Sequence, residues 1–106
     1  MYPEAWCRAV YAGDDLVGFV MLHDVPTGPG YMLWRLMIDA RFQGRGFGRW
    51  VVELVAEHTR TRPGATVLKV GAHRGEGGPG LFYESLGFQR TGEVIDDDED
   101  VFALPL

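Results

Sequence analysis

Gln43-Gly44-Arg45-Gly46-Phe47-Gly48 joins an apolar run, Tyr31 to Asp39, to a helical run, Arg49 to Arg62. A glycine-dense turn between a strand and a helix leaves successive backbone N–H groups unpaired and pointing one way. They sit at the partly positive end of the helix. Glycine at alternate positions permits unusual dihedrals and removes Cβ atoms that would hold a ligand off the main chain. Arg45 and Arg49 add positive charge beside it. The stretch reads as an anion site, and a diphosphate suits it.

Three phosphate-binding patterns compete for this turn. A P-loop needs Gly-Lys-Ser/Thr, and the turn holds neither Lys nor Ser/Thr. The dinucleotide fingerprint G-x-G-x-x-G fails because the glycines stand at 44, 46 and 48, and the next strand ends in Gly71-Ala72-His73 without an acidic residue. The third pattern, Q/R-x-x-G-x-G/A, is met by Gln43, Gly46 and Gly48. With Phe82-Tyr83-Glu84-Ser85-Leu86-Gly87-Phe88 downstream, it resembles the acetyl-CoA pyrophosphate loop and FYxxLGF segment of the GNAT N-acetyltransferase superfamily. Within that superfamily the chain is similar to the spermidine and diamine N-acetyltransferases. That likeness is carried by Trp34 to Asp39, Gly75-Glu76-Gly77, Thr91-Gly92-Glu93 and the terminal Leu104-Pro105-Leu106.

Composition bounds the rest. At 106 residues and 46% hydrophobic, residues 1–106 make one small domain with a modest core. A net charge of −5 disfavours nucleic acid and anionic membranes as partners. The single cysteine, Cys7, excludes an internal disulfide and suits a reducing cytoplasm. The longest apolar run, Leu16 to Leu22, is too short to span a bilayer. The three histidines and Cys7 lack metal-ligand spacing, so no metal is expected.

Periodicity and turn chemistry predict strands over Trp6–Tyr11, Leu16–His23, Tyr31–Asp39, Ala65–Val70, Phe88–Ile95 and Val101–Leu104. Gly18 within the second predicts a bulge or a close neighbour. Helices are predicted over Arg49–Arg62, stopped by Pro63-Gly64, and over Leu81–Leu86, capped by Gly87. Val51, Leu54, Val55 and His58 are the expected buried face of the first. The helix between the third and fourth strands makes those two parallel. The order β-β-β-α-β-α-β-β is an α/β fold with a mixed sheet. It follows the GNAT order from that fold's second strand onward. The family's first strand and first two helices have no counterpart before Trp6, so the first strand is expected to be an exposed edge that a second copy covers in a homodimer.

The resemblance implies acetyl-CoA as co-substrate and a small-molecule amine, of polyamine class, as acceptor. It also implies that the third and fourth strands splay apart to admit the pantetheine arm. The backbone of Met37, Ile38 and Asp39 bonds that arm, and an N–H near Ile38 polarises the thioester oxygen. The Met37 and Ile38 side chains are expected in the core. Gln43, Gly44, Arg45, Gly46, Phe47, Gly48 and Arg49 hold the pyrophosphate. By the same resemblance Tyr83 is expected to protonate the leaving thiolate, uphill by about 1.5 pKa units or about 2 kcal/mol from ordinary values.

The attacking amine must lose a proton, and the base candidates are His23, Asp24, Asp39, His73 and Glu84. Glu76 and the run Asp96 to Asp100 offer charge toward a cationic acceptor. Trp34 and Arg35 are expected to face opposite sides of the sheet, so a buried Arg35 needs a carboxylate partner. Two rival readings remain open: a non-catalytic acyl-CoA-binding module that has lost its acceptor site, and a fragment that works only with a partner chain.

Overall fold

The computed structural model describes residues 5–28, 30–73, 79–95 and 98–106. Strands β1 (Ala5–Ala12), β2 (Asp15–His23), β3 (Met32–Ile38), β4 (Val67–His73), β5 (Gln89–Ile95) and β6 (Glu99–Pro105) form one sheet in the order β1-β2-β3-β4-β6-β5. Helices α1 (Phe47–Arg60) and α2 (Gly80–Ser85) join β3 to β4 and β4 to β5. β3 and β4 run parallel and every other pair is antiparallel, as the crossover through α1 requires. β1 and β5 are the edges.

Both helices lie on one face. Val51, Val52, Val55 and Ala56 of α1 and Tyr83 of α2 share a core with Val20 and Leu22 (β2), Leu33 (β3), Leu68 and Val70 (β4) and Phe102 (β6). The buried stripe of α1 is therefore Val51, Val52, Val55, Ala56 and Thr59, not the stripe expected from the sequence. Leu54 is 42% exposed on the rim. His58 stands beside the stripe, stacked on Trp6 with ring centroids 4.5 Å apart and 3.1 Å from Asp24. The Thr59 hydroxyl donates to the Val55 carbonyl at 2.7 Å, which is how a polar residue enters the core.

α2 closes with two reversed bonds, Phe88 N–H to Tyr83 O and Gly87 N–H to Glu84 O, with Gly87 at φ +100°. This is the Schellman arrangement that the Leu86-Gly87 step predicts. Gly18 meets both of its expectations. An extra residue, Val17, bulges between the Val10↔Gly18 and Tyr11↔Leu16 pairs. A Cβ at 18 would lie 2.3 Å from the Met37 carbonyl oxygen.

A second bulge sits at Trp34, between the pairs Met21↔Arg35 and Leu22↔Leu33. It slips the alternation of β3 by one, so Trp34 and Arg35 are both exposed instead of dividing between the faces. Arg35 thus needs no buried partner. β6 begins at Glu99, two residues earlier than expected, so part of the acidic run is strand. No helix among the described residues is long and apolar enough to cross a membrane.

Candidate active site

β3 and β4 pair only at Met32↔Lys69 and Leu33↔Val70, with one further bond from Lys69 N–H to Tyr31 O at 3.0 Å. Beyond Leu33 they separate, so the expected splay is present. Asp39 N–H donates to Val17 O at 2.8 Å. Because backbone groups alternate along an antiparallel ladder, Met37 also turns its groups to β2, whereas Leu36 and Ile38 turn theirs into the gap. Of the three residues expected to line it, Ile38 faces the gap with its main chain.

The glycine turn is tied to the same strand end. Asp39 caps a short 3-10 turn, Ala40–Phe42, by accepting from Arg41 N–H at 2.9 Å, and its side chain also takes two bonds from the Arg41 guanidinium. The Arg41 side-chain bonds hold the exposed Asp39 carboxyl below its ordinary pKa. Gln43 Nε2 donates to the Ile38 carbonyl at 2.9 Å, so this side chain braces the turn instead of reaching toward an anion. Gly46 precedes α1 at φ +84°, and no side chain caps the helix. The first intrahelical bond runs from Trp50 N–H to Gly46 O, which leaves the N–H groups of Phe47, Gly48 and Arg49 ahead of it. Arg45 and Arg49 are exposed at the rim. Arg49 also reaches Glu53 at 3.6 Å.

The strand end and the turn line one cleft of about 510 Å³, bounded by Leu36, Ile38, Gln43, Gly44, the stretch from Gly46 to Arg49, Phe82 and Tyr83; Arg45 of the turn is not in its wall. Tyr83 is buried, its ring edge-on to Phe82 and Phe88 at 5.2 and 5.5 Å. Burial pushes its hydroxyl pKa up to about 12. The phenol therefore stays protonated through the physiological range. Handing its proton to a thiolate of ordinary pKa ~8.5 is uphill by about 3.5 units, about 5 kcal/mol, more than the free amino acids imply.

Met37 departs from expectation: its side chain is 60% exposed, on the sheet face without helices, while Ile38 packs beside the core. Among the base candidates, His23 is buried with Nδ1 2.7 Å from Gly30 O. Asp24 is paired with His58 and Arg62, and Glu84 lies 3.9 Å from Arg90. His73 is exposed, 3.4 Å from Asp98. Glu76, Asp96 and Asp97 lie outside the described residues.

The sequence reading singled out neither Gly71 nor Glu99. A Cβ at Gly71 would lie 2.9 Å from Glu99 Oε1, so the carboxylate lies across β4 at that glycine. Gly71 is the first β4 residue past the last β3 pair, where the gap opens. A glycine inside a strand pattern was the available signal. One ligand atom each of His73, Asp98 and Glu99 comes within 4.8 Å of the others, a grouping that Cys/His spacing cannot reveal because it spans β4 and β6.

A mixed sheet splayed beside an uncapped, glycine-led helix defines the class: the acyl-CoA N-acyltransferase fold. The Acetyltransferase (GNAT) family model matches residues 2–88, and the chain belongs to that family. Curated relatives include an N-acetylaspartate synthetase from Danio rerio, 36% identical over 104 residues (91% of this chain, 34% of that protein). Another is a mycothiol acetyltransferase from Streptosporangium roseum, 33% identical over 95 residues (89% of this chain, 26% of that protein). The chain spans about a third or less of the length of these relatives. Neither name places it in the spermidine and diamine subgroup. A Bacillus subtilis acetyltransferase in complex with CoA shares the fold at TM-score 0.80 and 19% identity, covering 97% of this chain and 78% of that one.

Proposed function

We propose that the chain is an acetyl-CoA-dependent N-acetyltransferase that acylates a primary amine of a small molecule by direct attack on the thioester. The observation that carries this reading is the meeting, in one cleft, of the uncapped α1 N-terminus, the unpaired end of β3 and Tyr83. The N–H groups of Phe47, Gly48 and Arg49 suit the pyrophosphate, and the open backbone of β3 suits the amide-rich pantetheine arm. Acetyl-CoA supplies an activated acetyl group. The names of the curated relatives, and the CoA held by the structural neighbour, agree with this choice.

In this mechanism Ile38 N–H donates to the thioester oxygen as the amine attacks, stabilising the charge that develops there. Tyr83 then gives its proton to the sulfur as the C–S bond breaks, and the proton shed by the attacking nitrogen passes to solvent, from which the Tyr83 phenolate is reprotonated. No covalent enzyme intermediate is invoked. The resemblance to spermidine and diamine acetyltransferases brings polyamines into the acceptor set. The single cysteine favours a reducing, cytoplasmic setting, and the free β1 edge, with Tyr11 and Leu16 more than half exposed, favours a homodimer.

Calorimetry with acetyl-CoA, followed by a turnover screen over amines, tests the reading. Saturable binding and acetylation of at least one amine are expected. Binding with no turnover on any amine would leave an acyl-CoA-binding module instead.

A further inference from the structure

On the sheet face opposite the helices lies a second cavity, of about 720 Å³, lined by Met21, Met32, Trp34, Arg35, Gly71 and Glu99 among others. It opens on the gap between β3 and β4 from the side away from the glycine turn. Its wall carries one cation and one anion. Among the described residues, the Arg35 and Glu99 side chains have neither an ion pair nor a hydrogen bond, to each other or to a third residue. Two opposite charges that share a cavity at more than 4 Å leave room for a molecule that bridges them.

Resting on the acetyltransferase reading above, we propose that this cavity receives an acceptor that carries both an amine and a carboxylate, an amino acid in the broad sense. Glu99 takes the amine. Its carboxylate lies over Gly71, where the gap begins, so an amine held there is next to the route to the thioester. Asp98 and His73, paired with each other at 3.4 Å, stand beside Glu99 outside the cavity wall. Arg35, on β3 across the gap from β4, takes the carboxylate with the forked donors that suit it. Trp34, Met21 and Met32 supply apolar wall. A polyamine offers Arg35 no carboxylate, so within the acceptor set it ranks below an amino acid.

The test uses the full chain, acetyl-CoA and matched acceptors: amino acids, the amines that lack their α-carboxylates, and spermidine. The expected result is a kcat/KM about tenfold or more higher for an amino acid than for its decarboxylated partner. Arg35→Gln collapses that ratio toward one and leaves the Kd for CoA unchanged. Gly71→Ala, whose Cβ displaces the flexible Glu99 carboxylate, raises the amino acid's KM and likewise spares CoA binding. Equal or better turnover of the decarboxylated amines or of spermidine overturns this proposal and leaves acetyl transfer standing. So does an Arg35→Gln variant that loses activity equally on both acceptors. Absence of both CoA binding and turnover overturns the two readings together.

Discussion

Gln43 Nε2 donates to the Ile38 carbonyl at 2.9 Å, which fastens the glycine turn to the strand end whose main chain faces the gap. In the proposed mechanism these two segments hold the diphosphate and the thioester, so the spacing between them rests on this bond. Gln43→Ala should cost stability only at the low end of ~0.5–1.5 kcal/mol, because the site is exposed. It should weaken CoA binding by more than that loss accounts for. Paired melting and calorimetric titrations check this, and an unchanged Kd would contradict it.

Gly46 stands at φ +84°, immediately ahead of α1, with no atom near enough to crowd an added Cβ. Its role is conformational. Gly46→Ala forces an L-residue into the left-handed region at a cost of ~1–2 kcal/mol. The variant should melt lower and bind CoA more weakly. Gly48 is the spatial counterpart, since a Cβ there would sit 3.3 Å from Phe82 Cζ. Ala at 46 with unaltered melting and affinity would show that the turn is not held as described.

Tyr83→Phe should lower kcat by about 100-fold with little change in the Kd for CoA, the signature of a lost general acid. Because burial raises the Tyr83 pKa to about 12, its ionisation does not shape the rate profile below that range. The unfolded chain releases this proton near pH ~10 and the folded chain near 12, so stability falls as pH rises through that window and is unaffected below it. Ultraviolet titration should show a late-ionising phenol that disappears in Tyr83→Phe. A kcat unchanged in that variant would remove the residue from the mechanism.

The element order, the parallel β3–β4 pair and the glycine turn between β3 and α1 were legible because each follows from local chemistry: glycine spacing, periodicity and a crossover; the splay was legible only through the family resemblance. What the sequence hid depended on non-local pairing. The Trp34 bulge is set by β2 and exposes both Trp34 and Arg35. The rotation of α1 toward Val52 and Ala56 is set by the sheet beneath it. Glu99 was legible only as part of an acidic run, since its position over Gly71 arises from the β4–β6 register.

Among the described residues no strand pairs with the outer edge of β1 (Ala5–Ala12), beside the exposed Tyr11. Light scattering at micromolar concentration should give the mass of a dimer. A proline placed at an outward-facing N–H of β1 should shift it toward the monomer. A monomeric mass for the parent chain would remove the proposed homodimer.

Amide NMR during titration with CoA probes the main-chain cradle ahead of α1 itself. Saturable shifts at Gly46, Phe47, Gly48 and Arg49 are expected with CoA. Pantetheine, which lacks the diphosphate, should leave those amides unmoved. Saturation with CoA without any change at these amides would contradict the proposed cradle.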